Sequence, residues 1–251
     1  MTTFKVILEY DGSRYHGWQE QKNARSVMGE LRKAAEEAFG AKVEMQGSGR
    51  TDAGVHALAQ VAHLKVATDA RQSAEVLARR LNDLLPADIV VTNIERVARN
   101  FHARHDATNR VYIYQISTRK QAFRKRYVWW IKDELNLETM RRAAALLAGR
   151  HDFICFRAAD AARPDESTIV VVEKAEIEVR DDIILIRIEA SHFLWRMVRR
   201  VVGVLVKVGT GEIREPDFRK LLDGRCDPKL DVAAWTAPAA GLFLEQVRYG
   251  K

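Results

Sequence analysis

The segment that most restricts this 251-residue chain is residues 47–57, which read GSGRTDAGVHA. Three glycines and several small residues surround one cation, Arg50, and one carboxylate, Asp52. A glycine-rich backbone can bend sharply and lets a ligand approach closely. Residues 42–45 and 58–66 on either side alternate in the manner of strands. The sequence therefore predicts a ligand-accessible loop between two strands, with Asp52 near its centre.

An aspartate between glycines often does no more than form an Asx-turn or cap a helix. Three features favour a chemical role for Asp52. Arg50 can pair with the carboxylate and keep it ionised, the glycines leave space around it, and no helix follows to be capped. An ionised, accessible carboxylate is a candidate nucleophile or base. The Asp-Ala-Gly triplet is not that of an aspartic protease, because neither the hydroxyl residue after the aspartate nor a second such triplet is present.

A second block, residues 10–19 (YDGSRYHGWQ), follows a strand-like run and mixes aromatic, glycine and basic residues. Such a loop is suited to base stacking and phosphate contact, although Trp18 fits equally well as a packed side chain beneath a surface loop. Together with residues 47–57, this block resembles the two signature segments of the tRNA pseudouridine synthase A family. Agreement over two separate blocks is far more specific than a lone glycine motif.

The resemblance implies which residues carry out the reaction. Asp52 matches the family's catalytic carboxylate. Arg50 matches the arginine that supports base flipping and forms an ion pair with that carboxylate. Tyr112, within residues 107–114 (ATNRVYIY), matches the tyrosine that stacks on the target base. Taken alone, Tyr112 would be read only as part of an alternating strand.

The resemblance also implies a substrate and an assembly: the anticodon arm of tRNA, modified at uridines 38 to 40, bound by a homodimer without metal or cofactor. Arg14 and Arg110 lie within matching blocks and are expected to contact RNA. The sequence contains no Walker loop, dinucleotide fingerprint, zinc cluster or Ser-His-Asp set, so a cofactor-free reaction is the simplest expectation.

A third matching segment is the apolar, arginine-bearing run 193–203 (FLWRMVRRVVG). It resembles the family's Met-Val-Arg-x-x-Val-Gly helix, and Arg199 is the matching arginine, an expected RNA contact. Arg196 stands where the family has a histidine, and Arg200 stands where an asparagine is common.

The charge balance favours an acidic partner. Lysine and arginine number 41 against 34 aspartates and glutamates, which gives a net charge of +7. A polyanion is the first candidate for such a surface. Residues 119–126 (RKQAFRKR) concentrate this charge around an aromatic residue, which favours contact with a phosphate backbone over a merely solvated charge run.

The remaining composition bears on the compartment. Cys155 and Cys226 are too few for a disulfide framework and lack metal-ligand spacing. The N-terminus has no signal-peptide pattern, and no uncharged apolar run is long enough to span a bilayer. We therefore expect a cytoplasmic protein with no membrane segment.

The order of predicted elements indicates an α+β fold made of two ferredoxin-like (RRM-like) β-α-β-β-α-β modules, with a basic cleft between them. The modules are expected at residues 1–104, which carry the aspartate loop, and 105–251, which complete the RNA-binding cleft. The predicted strands are 4–10, 42–45, 58–66, 89–97, 110–118, 168–180, 183–190 and 242–249. The predicted helices are 26–40, 73–85, 137–148, 193–208 and 216–222.

Two other functions remain open at this stage. The chain could be a pseudouridine synthase with a different RNA target, because a motif identifies chemistry better than substrate. It could also be a non-catalytic RNA-binding or tRNA-folding protein on the same scaffold. The presence of Asp52, Arg50 and Tyr112 together argues against the second.

Overall fold

The fold of the protein is mixed α+β, in agreement with the predicted class. A computed structural model describes residues 1–67, 73–159 and 166–250, which form ten strands and five α-helices. The chain divides into two compact units. The first comprises residues 1–108 together with 243–251, and the second comprises residues 109–242. The last strand therefore groups with the N-terminal half of the chain, whereas the expected division at 104/105 assigned it to the second module.

The first half of the chain has the predicted element order. Its elements are β1 (Thr2–Tyr10), α1 (Val27–Phe39), β2 (Val43–Gly47), β3 (His56–Val66), α2 (Ala74–Leu84) and β4 (Ile89–Val97). The second half contains β5 (Ala107–Ser117), β6 (Trp129–Trp130), α3 (Leu137–Ala145), β7 (Gly149–Asp152), β8 (Ile169–Arg180), β9 (Ile183–Ala190), α4 (Met197–Gly209), α5 (Glu215–Leu222) and β10 (Leu242–Tyr249).

In the first unit, β1 is the central strand. It pairs antiparallel with β3 on one side and with β4 on the other, and β2 pairs antiparallel with β3, so these four strands lie in the order β4-β1-β3-β2. β10 pairs parallel with the start of β3 through Phe243 and Leu244. Alternate residues of β1, from Phe4 to Tyr10, are buried on one face of this sheet. α1 packs against α2 and β2, and α2 packs against β4.

The ends of the two helices of the first unit follow from local chemistry. The side chain of Ser26 accepts a hydrogen bond from the amide of Gly29, and Gly40 ends α1 in the left-handed conformation at φ 64°. Ser73 caps α2 in the same way through the amide of Val76. These hydroxyl groups satisfy amides that have no partner within the helix. The predicted bounds of both helices are confirmed within one residue.

In the second unit the strands lie in the order β5-β9-β8-β7, and β6 pairs parallel with β5. α3 packs against α4 and β8. The short strands β6 and β7 were absent from the predicted order. α4 begins at Met197 and not at Phe193, because Arg196 has a φ of 60° that interrupts the helical backbone. No helix in the described ranges is long and apolar enough to cross a membrane.

The structure joins Cys155 and Cys226 by a disulfide bond, which the sequence analysis did not anticipate. The two residues are 71 positions apart, Cys155 in a short 3-10 turn and Cys226 beyond α5. Both belong to the second unit. The bond lies beside an isolated parallel bridge between Asp152 and Asp223, which pairs the same two segments.

Candidate active site

The loop that carries Asp52 leaves β2 at Gly47 and enters β3 at His56. Its first amide, that of Ser48, donates to the carbonyl of Val61 at 2.7 Å, which fastens the loop to β3. Beyond Asp52 the chain turns tightly, with a hydrogen bond of 3.1 Å from the amide of Val55 to the carbonyl of Asp52 and with Gly54 at φ 77°. The Asp52 side chain is half-buried. A carboxylate so placed is both held by its backbone and accessible to a ligand.

The N-terminal signature loop lies directly against the Asp52 loop. The amide of Trp18 donates to the carbonyl of Thr51 at 3.1 Å, and the amide of Gly54 donates to the carbonyl of Tyr15 at 3.2 Å. The two sequence blocks that suggested the family are therefore hydrogen-bonded to each other on both sides of Asp52.

Two glycines of the N-terminal loop permit this approach. A β-carbon on Gly12 would lie 1.9 Å from the carbonyl oxygen of Val55, and one on Gly17 would lie 2.5 Å from the carbonyl oxygen of Thr51. Gly17 also has a φ of 95°, which L-residues rarely adopt. Any side chain at these positions would push the two loops apart.

Trp18 is a packing residue and not an exposed stacking platform. Its side chain is 1% exposed, and its ring occupies the space where Gly47 has no β-carbon, 2.6 Å from the position that atom would take. The ring also stacks on Tyr10 at a centroid distance of 6.2 Å. Of the two interpretations left open for Trp18, the packed side chain is the correct one.

His56, the last polar residue of the loop, supports the backbone of the N-terminal loop. Its Nδ1 atom lies 3.1 Å from the amide of Gly12 and 3.1 Å from Oδ1 of Asp11, and its ring stacks on Phe243 at 4.6 Å. The side chain is 1% exposed. These contacts assign His56 to the structure of the site, because its Nδ1 holds the N-terminal loop and its ring packs on Phe243.

A buried polar cluster beneath the loop was missed by the sequence analysis. It comprises the side chains of Tyr10, Ser48, Thr51 and Gln60, each less than 10% exposed. Gln60 is 0% exposed and accepts a hydrogen bond from the Ser48 hydroxyl at 2.7 Å, while the Tyr10 and Thr51 hydroxyls are 2.8 Å apart. Burial raises the pKa of Tyr10 to about 12. A glutamine in an otherwise apolar run on β3 was the only signal in the sequence that could have revealed this cluster.

Arg50 and Arg14 are both exposed cations of the first unit. Arg14 ends the short 3-10 turn Gly12–Arg14 in the N-terminal loop. The expected ion pair between Arg50 and Asp52 is not formed in the described part of the chain, where the Arg50 guanidinium makes neither a hydrogen bond nor an ion pair.

The other expected site residues belong to the second unit. Tyr112 lies on β5 with 9% of its side chain exposed, and its ring meets that of Phe193 edge-on at 5.0 Å. Arg110, on the same strand, is half-buried and donates to the carbonyl of Ser191 at 2.9 Å. Both residues are therefore fixed by the segment that follows β9.

The arginines of residues 193–203 have different environments. Arg199 is half-buried on α4, and its Nε donates to the carbonyl of Ala237 at 2.7 Å. Arg200 donates to the carbonyl of Arg157, and burial lowers the pKa of its guanidinium. Arg196 is exposed and lies over the ring of Trp195 at 5.1 Å. Of the two residues that depart from the family pattern, Arg200 is thus bonded within the protein, and Arg196 lies on the surface.

In the described residues, no group of three histidine, cysteine, aspartate or glutamate side chains could hold a metal ion. The side chains that the geometry offers for chemistry are thus a carboxylate, an exposed guanidinium and buried hydroxyls. A carboxylate can form a covalent adduct with an electrophilic carbon or transfer a proton.

Comparison with known proteins gives the family. Residues 6–106 and 143–250 match the sequence profile of a family described as tRNA pseudouridine synthase. The chain belongs to the tRNA pseudouridine synthase family. It is therefore an isomerase that forms pseudouridine, as the resemblance of the two signature blocks predicted.

Curated relatives agree over the full length. The chain is 42% identical over 251 residues to the tRNA pseudouridine synthase A of Thermoanaerobacter sp. strain X514, covering 99% of this chain and 100% of the relative. It is 41% identical over 250 residues to that of Thermosipho melanesiensis, and 38% identical over 251 residues to that of Thermotoga maritima, with the same coverage. The similarity to proteins named tRNA pseudouridine synthase A thus covers nearly the whole chain.

Proposed function

We propose that this pseudouridine synthase modifies the anticodon arm of tRNA at uridines 38 to 40, with Asp52 as the catalytic carboxylate. It works in the cytoplasm as a homodimer and needs no metal or cofactor. The observation that carries the proposal is the environment of Asp52, a half-exposed carboxylate on a loop whose backbone is fastened on both sides.

The reaction needs one carboxylate and no redox partner. The N1–C1′ bond of uridine breaks, the base rotates, a C5–C1′ bond forms, and the proton on C5 is lost while N1 gains one. Asp52 assists either by a covalent adduct with the substrate or by promoting a glycal intermediate. A carboxylate is suited to both routes.

Arg50 is proposed to support extrusion of the target base. A uridine within a stem cannot be reached until it leaves the stack, and a planar cation can fill the gap and hold the backbone. The exposed, unpaired guanidinium of Arg50 in the described structure supports this role. Tyr112 is proposed to stack on the extruded base.

Contacts with the RNA backbone are assigned to Arg14, Arg110 and Arg199 and to the basic segment 119–126. In that segment the ring of Phe123 is 98% exposed, and Lys120 lies over the ring of Trp130 at 5.4 Å. Arg119 is neutralised by Asp182 at 2.9 Å. Cations interleaved with exposed rings are suited to phosphates and unstacked bases.

The modules at residues 1–104 and 105–251 are proposed to be ferredoxin-like. The strand order β4-β1-β3-β2 of the first unit supports this for the module at residues 1–104, because two helices connect antiparallel strands in the order typical of that motif.

The test is Asp52→Asn, which keeps the size of the side chain but removes its charge. Loss of a cap or a turn would cost no more than about 1 kcal/mol. Loss of the catalytic carboxylate abolishes turnover. We expect a folded protein that binds tRNA with modestly changed affinity but releases no tritium from tRNA labelled at C5 of uridine.

Asp83→Asn is the matched control, because Asp83 is an exposed aspartate of the same unit on α2. It removes the same charge and should leave both binding and tritium release unchanged. Retention of more than a few per cent of tritium release by Asp52→Asn would refute the assignment of Asp52. Mapping pseudouridines in tRNA from a strain lacking the gene tests the positions.

A further inference from the structure

The side-chain amide of Gln60 has every hydrogen-bonding position filled. Its Oε1 accepts from the Ser48 hydroxyl at 2.7 Å and from the amide of Val61 at 3.2 Å. Its Nε2 donates to the carbonyl of Gly49 at 3.3 Å and to the Tyr10 hydroxyl at 3.5 Å. An amide group offers two donors and two acceptor sites, so Gln60 is fully satisfied. The partners also fix its orientation, since only Nε2 can donate to a carbonyl.

This orientation sets the direction of the remaining bonds. The Tyr10 hydroxyl accepts from Gln60 and is therefore able to donate its own proton to the Thr51 hydroxyl, 2.8 Å away. The network thus runs from Ser48 through Gln60 and Tyr10 to Thr51. A buried network whose members are all satisfied holds its geometry strongly, because breaking one bond leaves a buried polar group unpaired.

The three loop residues that this network holds are the neighbours of Arg50. Ser48 and Thr51 are held by their hydroxyls, and Gly49 is held by its carbonyl. Arg50 itself is exposed and makes no hydrogen bond or ion pair with the described residues. No hydrogen bond or ion pair with the described residues therefore fixes its side chain, whereas the residues on both sides of it are held.

We infer that Gln60 is a positioning residue that acts through Arg50 in the extrusion of the target base. The inference rests on the role proposed for Arg50. Extruding a paired base costs a few kcal/mol, and a side chain can hold the gap open only if its backbone does not yield. Gln60 lies on β3 and keeps the backbone of the loop in place through its bonds to Ser48 and Gly49.

A purely structural role for Gln60 gives a different expectation. In that case its loss lowers stability and leaves the rate unchanged below the unfolding temperature. Action through Asp52 gives a third expectation, in which chemistry slows equally for every uridine. The three cases are separated by how the rate loss depends on the pairing of the target uridine.

The experiment uses Gln60→Met in the full chain, because methionine has a similar length but neither donates nor accepts strongly. Two tRNA transcripts are compared that differ only opposite the target stem uridine, with adenine in one and a mismatched cytosine in the other. Single-turnover rates and dissociation constants are measured for both. A mismatched base is cheaper to extrude.

We expect Gln60→Met to slow the paired transcript at least about tenfold more than the mismatched one, with the dissociation constant changed less than about threefold. Tyr10→Phe removes the two bonds of the Tyr10 hydroxyl but leaves those of Gln60 to Ser48, Gly49 and Val61, so it should show the same preference with a smaller loss. It also keeps the test decisive if Gln60→Met does not fold. Equal losses on both transcripts, or no loss on either, would overturn the inference.

Asn82→Leu is the matched control. The Asn82 amide accepts from the amide of Val91 at 2.7 Å and donates to its carbonyl at 2.9 Å, in the same unit but on α2. Its loss should lower the urea midpoint without a preference between transcripts. Failure of the proposed function would appear separately, as turnover retained by Asp52→Asn or as an unchanged rate in Arg50→Ala.

Discussion

The contact between the two signature loops predicts that Gly17→Ala damages the site while Gly40→Ala does not. Both glycines have a positive φ, 95° at Gly17 and 64° at Gly40. A β-carbon on Gly17 would lie 2.5 Å from the carbonyl oxygen of Thr51, whereas nothing lies within 4 Å of one on Gly40. Both substitutions therefore place an alanine in an unfavourable left-handed backbone conformation. Only Gly17→Ala also produces a clash with the Asp52 loop.

The size of the effect follows from these contacts. A left-handed backbone costs an alanine about 1–2 kcal/mol at either position. At Gly17 the clashing atom is a peptide oxygen that cannot rotate away, so overpacking adds about 1–3 kcal/mol. Loss of the hydrogen bond from Trp18 to Thr51 adds about 1 kcal/mol. Gly17→Ala should thus be about 2–4 kcal/mol less stable than Gly40→Ala.

Calorimetry and single-turnover kinetics measure the two consequences. For a chain of this length, each kcal/mol shifts the unfolding temperature by about 2–4 °C, so the two variants should differ by roughly 4–16 °C. Real β-carbons essentially never approach another atom within 3.0 Å, so the N-terminal loop and Thr51, which precedes Asp52, must separate. A displacement near 1 Å at a catalytic group can cost about 100-fold in rate. Equal unfolding temperatures and equal rates in the two variants would show that the loops do not meet as described.

Four further outcomes are expected. Affinity for tRNA should fall by orders of magnitude between low and moderate salt because the excess charge contacts phosphates, and a nearly flat titration would contradict this. Sedimentation at micromolar concentration should show a dimer, and the 28.6 kDa species alone would argue against it. Burial, together with the charges of His102 and Lys65, lowers the pKa of His63 to about 4, so the His63 ring binds a proton more readily in the unfolded chain. The free energy of unfolding should therefore fall as the pH drops from about 6.5 towards 4. His63→Gln should make that fall smaller, as measured by urea titrations at pH 7 and 4.5. The bond between Cys155 and Cys226 closes a segment of 71 residues and should stabilise the second unit by about 4 kcal/mol, measured as the loss in unfolding free energy on adding reductant.

Local chemistry made much of the fold predictable. Ser26, Gly40 and Ser73 have side chains or backbone freedom that act on the nearest few residues, so the bounds of α1 and α2 could be predicted without any long-range contact. The weak point was the start of α4. Its apolar periodicity extends to Phe193, but the left-handed backbone of Arg196 ends the helix earlier, and periodicity alone contains no sign of it.

The sequence by itself determined the chemistry of the candidate site. Asp52, Arg50 and the glycines lie within a few residues of one another, so they stay close together however the rest of the chain folds. Only the tertiary structure decided what surrounds them. It placed Trp18 in the interior, left Arg50 unpaired with Asp52, and brought Gln60 beneath the loop through the pairing of β3. Hydrogen bonds between residues separated along the chain depend on strand register and on which groups are buried together, and neither is encoded in local sequence pattern.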